Sequence, residues 1–119
     1  DNLAHQFSTS SLATCIAFVR LTEEPCALVV SVNAKIKWAR KSSCFAEFFI
    51  RQGILDTYTG ASEIFQGKTR KTDGMGRTPA GAWLEHYDGD GKDSIQEDSR
   101  MIMETGEVVT LLWINEYLD

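Results

Sequence analysis

The stretch that decides the fold is Arg100-Met-Ile-Met-Glu104, then Thr105-Gly106, then Glu107-Val-Val-Thr-Leu-Leu-Trp-Ile-Asn-Glu-Tyr-Leu118. Two apolar, strand-prone runs flank a Thr-Gly pair, the pattern of a β-hairpin closed by a tight turn. Gly106 can take the positive φ that such a turn demands. Side chains alternate across a strand, so Val109, Leu111, Trp113 and Tyr117 share one face, and Val108, Leu112 and Ile114 the other. Both faces are apolar, which predicts a central strand covered on each side.

Working upstream, a strand from about Ser94 to Glu104 leads into this hairpin. Before it, Asp88-Gly-Asp-Gly-Lys92 reads as a turn. Ala82 to Tyr87 alternates, with Trp83, Glu85 and Tyr87 on one side and Ala82, Leu84 and His86 on the other, as a strand does. At the other end of the chain, Ser10 and Ser11 precede Leu12, Cys15, Ile16 and Val19, an amphipathic helical spacing behind a serine cap. The helix is expected over about 10–22, stopped by Glu23-Glu24-Pro25. Cys26 to Val32 is rich in β-branched residues and reads as a strand. Asn33-Ala34 is a turn, and Lys35 to Trp38 alternates polar and apolar as a half-buried strand. Ser42-Ser43 resembles a second cap, opening a short helix from Cys44 to Ile50 with Phe45, Phe48 and Phe49 on one face. Gly53 ends it. Between Ile54 and Thr78 only Ala61 to Phe65 reads as a helical turn, and Gly67, Gly74 and Gly76 suggest a mobile connection. The expectation is one α+β domain over 1–119 with its core in 25–119. It has a five-stranded antiparallel sheet, short helices on one face, and an N-terminal helix.

At 119 residues the chain can bury a core without staples. Its net charge of −5 is unevenly spread. Residues 1–78 carry ten Lys/Arg against seven Asp/Glu, and residues 79–119 two against ten. The acidic second half argues against a nucleic-acid surface, which needs a basic patch. Lys68, Arg70, Lys71 and Arg77 form a small basic cluster that reads as a solvated loop. Cys15, Cys26 and Cys44 make an odd count with no framework, which favours reduced, buried thiols and a cytoplasmic setting. No apolar run reaches the ~18 residues of a membrane helix, and no stretch reads as a signal peptide.

Several motifs come close to a chemistry and miss it. Gly67-Lys68-Thr69 ends like a phosphate-binding loop, but Ser62 stands where that loop needs its first glycine. Asp88 and Asp90 fit the opening of a calcium loop, yet Lys92, Asp93 and Ser99 occupy positions that require an acceptor, a glycine and a bidentate glutamate. His5 and His86 are the only histidines, and neither has a second ligand at metal spacing. No Gly-x-Ser-x-Gly elbow is present. Glu85, Glu97 and Glu104 read as acidic solvent faces rather than an acid–base pair.

Taken together, Pro25 to Arg40 resembles the opening of a PAS domain. In that family a helix leads to a strand, a turn, a second strand of the type Ile-x-Trp/Tyr-x-Asn, a small residue and a short helix. Ile36, Trp38 and Ser42 fit, and Arg40 stands in place of the asparagine. Gly106 to Asp119 is similar to the family's closing hairpin. The resemblance implies a sensory or protein-interaction module, part of a larger signalling protein, with a small apolar cavity under the sheet. Candidate lining residues are Phe48, Phe49, Ile54, Leu55, Met101, Met103 and Trp113. It also implies a homodimer or partner contact through the N-terminal helix, by Leu12, Ile16 and Val19, or through the sheet. The sequence names no cofactor. The rival reading is a pocket enzyme of the NTF2-like or hot-dog kind acting on a lipid-like or acyl substrate, with His86 or Asp56 as its polar catalytic group.

Overall fold

A computed structural model describes residues 11–45, 48–69, 76–85 and 94–114. Helix α1 (Leu12–Leu21) is followed by β1 (Cys26–Val32) and β2 (Lys35–Lys41). Next come β3 (Gly53–Ile54), α2 (Gly60–Phe65) and β4 (Gly76–Pro79), and the hairpin of β5 (Ser94–Ile102) and β6 (Glu107–Trp113) closes the order. Two 3-10 turns, Ser43–Phe45 and Ala80–Ala82, complete it. The strands form one antiparallel sheet in the order β3-β2-β1-β6-β5-β4. The class is therefore α+β as expected, with six strands rather than five.

The central pair is β1 and β6, in register from Cys26 opposite Trp113 to Ser31 opposite Val108. As the alternation of the closing stretch required, β6 buries both faces. Val108, Leu112 and Ile114 join Ala27, Val29, Ile95, Phe45, Leu55, Ala61, Ile64, Trp83 and Leu84 in one core. Val109 and Leu111 join Cys26, Leu28, Val30, Cys15 and Val19 in the other. Helix α1 covers the second face, away from α2 and the 3-10 turns, so the central strand is covered on each side as its alternation predicts. A sheet with apolar side chains on both faces has to be covered twice. Ser11 caps α1, its side chain accepting from the Thr14 N–H at 3.2 Å.

The two hairpin turns follow local chemistry. Asn33 and Ala34 have φ of 51° and 63°, the left-handed pair that lets a two-residue turn follow the strand twist. Gly106 has φ +75°, as the sequence requires of it. That turn spans four residues, Met103 to Gly106, with the Thr105 and Gly106 amides both donating to Ile102 O.

Three expectations about the middle of the chain fail. The helix from Cys44 to Ile50 is reduced to the 3-10 turn at Ser43–Phe45. The end of that segment is held elsewhere: Ile50 bridges Leu84, the Arg51 amide donates to Trp83 O, and the Glu85 amide donates to Phe49 O. Of the strand expected from Ala82 to Tyr87, the described residues 82–85 hold the end of a 3-10 turn and a single bridge. The stretch read as a mobile connection supplies β4, an edge strand ending on Pro79, where a missing N–H costs little. The turn at Asp88–Lys92, both histidines and Tyr117 lie outside the described residues.

One buried carboxylate ties this middle region to the sheet. Glu97 on β5 is 2% exposed. Its Oε1 accepts from the Gly60 amide at 3.0 Å, Thr78 Oγ1 at 2.7 Å and Trp83 Nε1 at 3.0 Å. Its Oε2 accepts from the Ala61 amide at 2.9 Å and Ser99 Oγ at 2.7 Å. Ser99 has one proton and gives it to Glu97, so Thr110 donates in the 2.6 Å Ser99–Thr110 hydrogen bond. The first four amides of a helix lack partners inside it. In α2, Glu97 takes those of Gly60 and Ala61, Thr59 Oγ1 takes that of Ser62, and Thr59 O takes that of Glu63. The acidic-face reading of Glu97 is thus overturned, because its neighbours supply the donors that let a carboxylate be buried.

Two stability predictions follow from these geometries. Glu97→Gln keeps the shape but, in either amide orientation, turns an NH2 toward at least one backbone N–H that can only donate, so stability falls by about 2–4 kcal/mol in urea unfolding; a loss under about 0.5 kcal/mol would contradict the hub. Ala34→Gly relieves a left-handed alanine and raises stability by roughly 0.5–1 kcal/mol, and a lower unfolding midpoint would refute the turn assignment.

Candidate functional site

Strand β2 reads Lys35-Ile-Lys-Trp-Ala-Arg-Lys41, four cations in seven residues of a chain whose net charge is −5. On one side it pairs with β1 along its length, with an irregularity at Val30/Ser31 that leaves Lys37 without a direct opposite. On the other side β3 pairs only with Lys35 and Ile36. Past Ile36 the facing chain swings away, because residues 50 and 51 are held by Leu84 and Trp83 instead. The divergence opens a groove of about 680 Å³. Its near wall is the unbroken run Ile36 to Ser43, and its far wall is Phe49 to Gly53 with Glu85. A groove lying against one face of a strand would touch alternate residues. This one touches consecutive residues, so it runs along the edge of β2.

The side chains at the groove are charged and aromatic. Arg40 lies over the Trp38 ring at 4.9 Å, and Lys41 over the Phe49 ring at 5.3 Å. Each of three cations also donates to a carbonyl: Arg40 to Ala39 O at 3.1 Å, Lys41 to Phe48 O at 3.0 Å, and Arg51 to Gly81 O at 2.9 Å. Lys37 pairs with Glu107 at 3.1 Å, and this hydrogen bond holds the Glu107 carboxyl below its ordinary value. That contribution is present above the unfolded carboxylate range and fades as pH falls through the lowered value. Its base is fixed by Ser42, whose Oγ accepts from the Cys26 amide at 3.0 Å and donates to Glu24 O at 2.6 Å.

The seven proposed lining residues do not meet in one place. Phe49 lines the groove and is exposed. Leu55 sits in the core beneath α2, with Phe48 and Met101 packed against it. Phe48 meets Phe45 at 5.5 Å between ring centres, tilted by 56°. Trp113 packs on the opposite face, with α1. Ile54 and Met103 are exposed. Of the helix residues offered for a partner, Val19 is fully buried against the chain's own sheet, and Leu12 and Ile16 pack on the same cluster. Asp56 closes a local turn, its Oδ1 accepting from the Tyr58 amide at 2.8 Å. Gly67-Lys68-Thr69 is the exit from α2, with Gly67 at φ +82°. Among the described residues no group of three His, Cys, Asp or Glu could hold a metal ion, and no helix is long and apolar enough to cross a membrane.

Sequence reasoning missed the groove. The alternation at Lys35–Trp38 marked β2 as half-buried, but nothing local showed that β3 pairs with it only at Lys35 and Ile36. A search of protein-family models found no match to the chain, and a search of curated proteins found none either.

The thiols divide by environment. Cys15 and Cys26 are buried, whereas Cys44 is exposed beside the groove's Ser43, against the expectation that all three are buried. Burial pushes the Cys26 thiol up to about 11; it also raises that of Cys15, and the nearby Arg100 guanidinium opposes that rise. An alkylating reagent at pH 8 is therefore expected to modify Cys44 in the native protein and all three thiols after denaturation, counted by mass spectrometry. Native Cys26 reacting as fast as Cys44 would contradict this placement.

Proposed function

We propose that the chain is a non-enzymatic sensory or interaction module of the PAS kind, part of a larger regulatory protein, and that its recognition surface is the groove along β2. The observation that carries this reading is the groove itself: four cations and two aromatic rings gathered at a strand edge of an acidic chain. Its volume falls in the range of about 300–1,000 Å³ typical of ligand sites.

The order of elements supports the resemblance. A helix leads to a strand, a two-residue turn, a second strand, the small Ser42 and a 3-10 turn, and the described part closes on a hairpin turning at Gly106. The space under the sheet, where the resemblance implies an apolar cavity, holds Phe45, Trp83 and Leu84, all 1% exposed or less, together with Glu97. Recognition therefore moves from the interior to the edge. Five donors occupy the Glu97 oxygens, which leaves that carboxylate a structural role.

The test is amide chemical-shift mapping with a panel of small carboxylates, beside an assay for acyl-thioester hydrolysis. The expected outcome is shifts in 36–43 and 49–53 with the thioesters intact. Turnover abolished by His86→Ala would establish the pocket-enzyme reading instead. Shifts confined to Leu55, Ile64 and Met101 would return the ligand to the interior.

A further inference from the structure

The outer edge of β2 carries backbone groups as well as charge. The Ser42 amide donates to Cys26 O at 2.9 Å, so this pair faces β1. In an antiparallel ladder the residues between such pairs turn their N–H and C=O the other way. Counting back from Ser42 through the Leu28–Arg40 and Val29–Ala39 register, Ala39 is one of the outward residues. The Arg40 guanidinium confirms the direction of its carbonyl, since Nη1 folds back to donate to Ala39 O at 3.1 Å. Among the described residues no strand pairs with β2 beyond Ile36 on this side.

We propose that the groove takes an extended acidic peptide segment of a partner protein, which adds a strand to the outer edge of β2 at Ala39. The proposal rests on the reading of the groove as the recognition surface and names its occupant. Main-chain hydrogen bonds supply affinity in strand addition, and side-chain neighbours supply specificity. A peptide N–H replaces the Arg40 guanidinium on Ala39 O, and the released cation pairs with a peptide carboxylate. Alternate residues of an added strand fall on opposite faces of the sheet. The groove is prepared for both: Arg40 stands opposite Leu28, of the α1-side cluster, and Lys41 opposite Ala27, of the α2-side core. Arg51 adds a cation on the far wall, against Glu85 as the one carboxylate among the described lining residues. Trp38, Phe49 and Ile50 give apolar contact to the residues between.

Charge also selects against other occupants. A second copy of the chain pairing edge to edge would set one lysine-rich strand beside another, and like charges directly opposite are destabilising. Lysines on a free edge commonly serve to prevent such pairing, so a purely repulsive edge is the outcome the experiment must separate from a binding one.

The experiment titrates the full chain with a peptide of alternating glutamate and valine, about six residues long, by calorimetry and amide shifts. Three comparison probes are a lysine-valine peptide, the acidic peptide N-methylated at alternate amides, and a single-stranded oligonucleotide of similar charge. The expected result is saturable binding of the acidic peptide alone, weakened by added salt, with shifts in residues 36–43. N-methylation lowers affinity at least tenfold because it removes backbone donors without touching charge. Arg40→Glu does the same from the protein side, and its circular dichroism stays that of the parent chain. Equal binding of the N-methylated peptide, the basic peptide or the oligonucleotide overturns the proposal. So does no binding at millimolar peptide, which leaves the edge as a charged guard; shifts produced there by small carboxylates would still sustain the module reading.

Discussion

The structure turns on a carboxylate that has been taken out of water and given donors in exchange. Burying such a group without partners costs several kcal/mol. Glu97 meets that cost with two helix amides, two hydroxyls and an indole N–H, drawn from α2, β4, β5 and the segment after β4. Three of those donors, the two amides and the indole, have no acceptor capacity, so the site is complementary to a carboxylate and to little else. Through Trp83 the effect reaches the groove. The indole N–H is fixed by Glu97 while the Trp83 carbonyl receives the Arg51 amide. Leu84 bridges Ile50, and the far wall is thereby held away from β2. An interior hydrogen-bond network thus sets the width of a surface feature.

This arrangement divides the molecule into parts with different physical duties. The β1–β6 pair with α1 on one face supplies hydrophobic burial, and its residues are apolar at almost every position. The α2 side is less uniform: a six-residue helix is too short to be stable alone, and it is retained by capping and by the hub. The outer edge of β2 carries neither burial nor a full ladder, and there the chain places its cations. The proposed recognition surface places its cations outside both cores, although Trp38 and Ile50 of its lining pack against them, so replacing Arg40 is expected to leave the cores in place.

What could be read from the sequence follows how local each interaction is. The α1 spacing, the strand at Cys26–Val32 and the two-faced closing strand were legible because their periodicity is written within a few residues. Gly106 was legible because one residue type suits its φ. The Cys44–Ile50 segment was not. Its aromatics have helical spacing, but the backbone partners of Phe49 and Ile50 lie at Leu84 and Glu85. The β4 strand escaped because it is polar, and the partner of its buried Thr78 is some twenty residues away. Glu97 has the parity of Ile95 and Met101, which was a signal for the inner face, but its acidity pointed the other way. Of the seven candidate lining residues only Phe49 lines the groove, since Leu55, Phe48 and Met101 pack with the core and the groove is made by two segments diverging.

The measurement that bears most directly on this account is native-state hydrogen exchange of the Gly60 and Ala61 amides and the Trp83 indole. If Glu97 organises the α2 side, these three protons exchange only with global unfolding, as slowly as the amides of Leu28 and Leu112 in the central strands. Exchange at the rate of exposed loop amides would show that the carboxylate is not held there, and the placement of the groove's far wall would lose its foundation.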